Sequence, residues 1–62
     1  MRRTAWKVIE NHDQYGTFTA DKKITCEVTG EMNTGTKVWT ELETGEQYLL
    51  FRMQGIYYFC HI

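Results

Sequence analysis

Five glycines and no proline punctuate this chain of 62 residues, each glycine closing a short turn-like step: Tyr15-Gly16, Thr29-Gly30, Asn33-Thr34-Gly35, Thr44-Gly45 and Gln54-Gly55. The last three fall ten residues apart, a spacing that marks successive hairpins. Between the turns run ITCEVT, TKVWTELE, EQYLLFRM and IYYFCHI, alternating segments rich in β-branched and aromatic residues, each the length of an ordinary strand. Ahead of them TAWKVIE (4–10) predicts a further strand and TFTA (17–20) a short one, joined by the polar loop NHDQYG.

One stretch supports a second reading. TGEQYLLFRMQG offers Thr44 as a helix cap, Gln47 three residues on, good helix formers from Glu46 to Gln54 and Gly55 as a stop. An isolated helix of that length falls short of the roughly 12 to 15 residues it needs in water. Strand-like runs also flank it, so the segment is read as strand, with a short helix over about 46–54 as the alternative.

A chain this short makes one domain, residues 1–62, and buries only about 60% of its unfolded surface. It must pair nearly all its backbone and use both faces of its sheet, or share a face with a second copy or a partner. With hydrophobic residues at 42% and aromatics at 15%, neither disorder nor a membrane span fits. Seven basic residues against eight acidic ones leave a net charge of -1, which removes the electrostatic case for duplex nucleic acid or an anionic membrane. Two arginines open the chain, but no apolar run of the secretory kind follows. A cytoplasmic protein with two free thiols is the expectation.

Strand side chains alternate, so hairpin register decides which residues share a face. Asn33-Thr34-Gly35 reads as a three-residue loop with left-handed glycine, and Thr44-Gly45 and Gln54-Gly55 as two-residue loops. The core face is then Ile24, Cys26 and Val28; Val38, Thr40 and Leu42; Leu49, Phe51 and Met53; and Ile56, Tyr58, Cys60 and Ile62. The opposite face sets Trp39, Leu50 and Phe59 side by side, Tyr48 beside His61 and Arg52 beside Tyr57.

That second face is too apolar to be left in water without a cover. Three covers compete: the chain's own Trp6, Val8, Tyr15 and Phe18, a second copy, or another macromolecule, since Trp, Tyr and Arg dominate binding hot spots. Trp39, Tyr48, Leu50, Arg52, Tyr57 and Phe59 are accordingly the candidate protein-binding residues.

Reactive chemistry fares poorly. His12, Cys26, Cys60 and His61 are the potential metal ligands, but adjacent Cys60 and His61 point to opposite faces of a strand, and CxxC and HxxxH spacings are absent. Cysteines on an apolar face are inert thiols. Glu41, Glu43 and Glu46 crowd one turn, the ordinary place for solvated carboxylates. Phosphate-cradling glycine loops are missing, and so short a chain has little room for a pocket of about 300 Å³. No cofactor, no metal and no enzymatic activity are expected. Single-stranded nucleic acid is the alternative ligand, with Trp39, Tyr57 and Phe59 as stacking rings and Lys37 and Arg52, helped by Arg2, Arg3 and Lys7, as the basic groups.

Taken together, the residues predict an all-β antiparallel meander of five to six strands curled into a barrel of SH3-like outline. Its expected role is that of a small protein-protein interaction or regulatory protein, with another protein or a second copy of itself as partner. A purely structural homodimer subunit is a further alternative.

Overall fold

A computed structural model describes residues 1–11 and 18–62 of the chain. Within them lie five strands and no helix: β1 (Arg2–Asn11), β2 (Phe18–Glu31), β3 (Lys37–Glu41), β4 (Gln47–Met53) and β5 (Ile56–His61). The expected all-β meander, curled into a small barrel, is the fold. TFTA does not stand alone, because β2 runs unbroken from Phe18 through ITCEVT to Glu31. EQYLLFRM is strand β4, so the helical alternative over 46–54 is not adopted.

Each strand pairs antiparallel with the next, in the order β1-β2-β3-β4-β5, and the sheet closes on itself. With an odd number of alternating strands, the first and last run the same way. The closing pair is therefore parallel, Trp6 beside Tyr58 and Lys7 beside Phe59. Closure removes the sheet edges that would otherwise present unpaired backbone groups. It also creates an inside and an outside, and the registers decide which residues go where.

Two of the three expected turns form as read. Gly35 is left-handed at φ 91°, with Met32 N–H donating to Thr36 O and Gly35 N–H to Met32 O. Gln54 (φ 53°) and Gly55 (φ 81°) are both left-handed, and β4 and β5 pair from Met53↔Ile56 to Tyr48↔His61. The β3–β4 turn is longer than two residues. Glu41 N–H donates to Glu46 O and Gly45 N–H to Glu41 O, so Trp39 pairs with Tyr48, a shift of two positions that leaves the faces unchanged.

The decisive departure is in β2. Glu31↔Lys37 and Gly30↔Val38 keep the hairpin's own register, but the next pair is Val28↔Trp39, so Thr29 is an extra residue on one strand. Such a bulge reverses the side-chain alternation beyond it. Ile24, Cys26 and Val28 stay inward as expected, yet they now share the interior with Trp39, Tyr48 and Phe59.

The buried core is Ala5, Ile24, Cys26, Trp39, Tyr48 and Phe59, with Val28, Leu50 and Tyr57 packed against it. Trp39 meets Phe59 edge-on at 5.6 Å and Tyr48 lies 6.1 Å from Phe59, within the range of favourable ring pairs. On β1 the inward residue between these rings is Ala5, because the narrow lumen has room for little more.

The remaining members of the expected core face, Val38, Thr40, Leu42, Leu49, Phe51, Met53, Ile56, Tyr58, Cys60 and Ile62, stand on the opposite parity from Trp39, Tyr48 and Phe59, outside the lumen or in a turn. Cys60 is an exposed free thiol, Cys26 a buried one.

Candidate functional site

Ala5, Ile24, Cys26, Trp39, Tyr48 and Phe59 fill the barrel interior, with Val28, Leu50 and Tyr57 packed against them. Each end is polar, and the two ends carry opposite charge.

At one mouth Glu41 is buried to 5% exposure. Its Oε1 accepts hydrogen bonds from the Thr44 hydroxyl at 3.0 Å and, at 3.3 Å, from Tyr48 Oη, whose hydrogen is shared with Glu46 Oε2 at 3.0 Å. Burial, reinforced by the hydrogen bond and charge of Glu46 and by Glu41, pushes the Tyr48 hydroxyl far above the usual tyrosine range. Lys7 Nζ lies 6.0 Å from the Tyr48 ring, and His61 packs edge-on against the same ring at 5.1 Å. These contacts anchor the β3–β4 turn to the barrel end. No buried polar side-chain atom among the described residues lacks a partner, so the cluster is a satisfied structural network.

The other mouth is basic. Arg3, Lys37 and Arg52 reach it from β1, β3 and β4. The Arg3 guanidinium lies 4.4 Å from the centre of the Tyr57 ring and that of Arg52 5.6 Å from it. Leu50, Tyr57 and the edge of Trp39 floor a groove of about 340 Å³, with Arg3 and Lys37 on its walls.

The outer surface holds a third feature. Of the seven outward positions of β4 and β5, only Gln47 is polar; the others are Leu49, Phe51, Met53, Ile56, Tyr58 and Cys60. Phe51 and Tyr58 stack at 5.4 Å. Trp6, Ala20, Ile56 and Tyr58 line a second groove of about 340 Å³, and Lys23 Nζ stands 5.3 Å from the Trp6 ring at its margin. Exposure is 37% at Trp6, 41% at Met53 and 46% at Ile56. A larger hollow of about 520 Å³ beside the β3–β4 turn mixes Lys22 and Lys23 with Glu41 and Glu43. These grooves are larger than the sequence led one to expect, and all three open on the surface.

The six candidate binding residues are brought together, as the alternation required, but mostly inside. Trp39 (3%), Tyr48 (0%) and Phe59 (0%) are buried, Leu50 and Tyr57 are half-buried, and Arg52 is exposed. Their cover is the chain itself, through Ala5, Ile24 and Cys26 rather than Trp6; Tyr15 and the side chain of Phe18 lie outside the described residues. Leu50, Arg52 and Tyr57, with the edge of Trp39, keep contact atoms for a ligand, at the basic mouth. Burial also takes Trp39 and Phe59 out of the stacking platform that single-stranded nucleic acid would need.

Cys60 and His61 do point to opposite sides, but with the inward and outward roles exchanged, His61 against Tyr48 and Cys60 outward. Among the described residues no three His, Cys, Asp or Glu side chains are grouped to hold a metal ion; His12 lies outside them. Nor is any described helix long and apolar enough to cross a membrane. Sequence reasoning named Arg3 only as an auxiliary basic group for nucleic acid and Trp6 only as an inner cover, and placed neither among the protein-binding residues. The signal for Trp6 was present in the doubly apolar runs YLLF and IYYF, since strands apolar on both faces are strands covered on both faces.

No family model matches the chain, and no curated protein or solved structure matches it significantly.

Proposed function

We propose that this protein is a non-catalytic interaction protein whose working surface is the apolar outer face of β4, β5 and β1. The observation that carries the reading is the run of six apolar residues in seven outward positions of β4 and β5. Of these, Met53, Ile56 and Cys60 stand exposed and Leu49, Phe51 and Tyr58 half-buried, and apolar surface held outside the lumen is a usual mark of a docking surface. The partner is another protein or a second copy of the chain. In either case the contact is face to face, because the strands of the closed barrel are each paired on both sides and the apolar residues stand on its outer face.

Light scattering across a concentration series, with Met53→Lys/Ile56→Lys as comparison, tests the reading. A mass rising from 7.4 kDa toward twice that value in the parent chain, and constant in the variant, identifies the second copy. A constant mass in both, together with a partner that co-purifies with the parent chain and not with the variant, identifies another protein. A parent chain that stays monomeric and retains no partner contradicts the proposal.

A further inference from the structure

The basic mouth is a ligand site separate from the outer face. Among the described residues, none of Arg3, Lys37 and Arg52 has a carboxylate within 4 Å. Glu31 is the nearest acid in the ladder, as the pairing partner of Lys37, and makes no ion pair with it. Other cations are engaged elsewhere: Arg2 faces Glu27 at 3.9 Å, and Lys23 lies over Trp6. Two cations, Arg3 and Lys37, thus line one groove and a third, Arg52, lies 5.6 Å from the Tyr57 ring at its edge, without a counter-charge among the described residues, while the chain's net charge is -1.

The geometry also says what kind of anion fits. A guanidinium held at 4.4 Å over the Tyr57 ring has its plane fixed by cation–π attraction, while its N–H donors remain available to a two-oxygen acceptor. Beside it the groove is of mixed character, with apolar contact surface from Leu50, Tyr57, Met1 and the Trp39 edge next to Thr36. At about 340 Å³ it lies at the low end of ligand sites, suited to a few side chains rather than a domain. Nucleic acid fits less well. Trp39 and Phe59 are buried, Arg3 already lies over the Tyr57 ring, and an acidic protein lacks the long-range attraction that a polyanion exploits.

We infer that this mouth binds a short acidic peptide segment, its Asp or Glu carboxylates on Arg3 and Arg52 and a neighbouring apolar side chain on Leu50 and Tyr57. Lys37 adds attraction at the rim. This inference does not depend on what covers the outer face.

The test is selection from a random dodecapeptide display library on the intact chain, followed by anisotropy titration of the labelled winning peptides. Enriched sequences carry Asp or Glu beside Leu, Ile or Phe. Their affinity falls about tenfold or more in Arg3→Gln/Arg52→Gln, in line with the loss of charge-assisted hydrogen bonds, and is unchanged in Ile56→Ser on the outer face. Should the double variant fail to fold by circular dichroism, Lys37→Gln at the exposed rim is used instead, with an expected weakening of about threefold and a shallower salt dependence. No enrichment, enrichment without acidic bias, indifference to these substitutions, or tighter binding of a labelled oligothymidylate than of the selected peptides overturns the inference.

Discussion

Val28 faces Trp39 across the β2–β3 ladder, with Thr29 left over between this pair and Gly30↔Val38. That one surplus residue puts Trp39 in the lumen rather than on the surface. Its consequence for stability is direct. Truncating a buried aromatic side chain to alanine costs about 3–5 kcal/mol, whereas a domain of 62 residues has roughly 3–9 kcal/mol in all, at about 0.05–0.15 kcal/mol per residue. Trp39→Ala and Phe59→Ala are therefore expected to unfold the chain or bring it close to unfolding, and Trp6→Ser to leave its thermal midpoint nearly unchanged. Circular dichroism melts of the three variants check this.

The bulge itself is testable. Removing Thr29 would make Gly30↔Val38 and Val28↔Trp39 successive pairs, keeping Trp39 inward on a regular ladder, while also deleting the Thr29–Thr40 hydroxyl contact at 2.6 Å. The deletion variant is therefore expected to keep a cooperative melt with Trp39 still protected from quenching, and a melt lost on deletion but retained on substitution to Ser would contradict this pairing.

Gln54 occupies a left-handed conformation, φ 53°, at the first central position of the β4–β5 turn. A residue with a Cβ pays roughly 1–2 kcal/mol there, less for Asn, and Asn-Gly is the favoured pair for such turns. Gln54→Asn is expected to raise stability by about 0.5–1 kcal/mol, read from urea midpoints at constant slope.

The two thiols differ in kind. Burial, and secondarily the charge of Glu41, pushes the Cys26 thiol up to about 11 from 9.0, while Cys60 is exposed. A thiol reagent under native conditions should titrate one cysteine and, after denaturation, two. Because the folded pKa lies above the unfolded one, the Cys26 contribution is complete below about pH 9 and is lost as pH rises toward about 11. Tyr48, also raised, acts in the same direction at still higher pH. Alkaline denaturation followed by circular dichroism should therefore be shallower over that first window in Cys26→Ala, measured relative to the variant's own stability at pH 7.

Much of the fold was legible in the residues. Glycine spacing gave the strand order, Gly35 its left-handed place, and Gln54-Gly55 the complete β4–β5 register, down to Tyr48 beside His61 and Arg52 beside Tyr57. The grouping of Trp39, Tyr48, Leu50, Phe59, Tyr57 and Arg52 on one face followed from that register and holds. What could not be read was which side that face takes. Val-Thr-Gly carries no distinctive mark of a bulge, and Trp6 and Val8 alternate with Arg3, Ala5 and Lys7 in a way that favours the aromatic as the inward residue. In a five-stranded barrel already filled by three large rings, volume overrides that preference: Ala5 goes in, Trp6 goes out, and Arg3 and Lys7 extend toward the two mouths. The candidate site moved with it, to the outer face and to the mouth where Leu50, Arg52 and Tyr57 remain accessible.

The inside-out assignment on which both proposed surfaces depend is tested most directly by iodide quenching of tryptophan fluorescence in two single-tryptophan variants, Trp6→Phe and Trp39→Phe. With Trp39 at 3% exposure and Trp6 at 37%, Trp6→Phe should emit from a blue-shifted, protected indole, and Trp39→Phe, if it keeps its fold, from a red-shifted and readily quenched one. Free quenching of Trp39 in a folded Trp6→Phe chain would contradict the account.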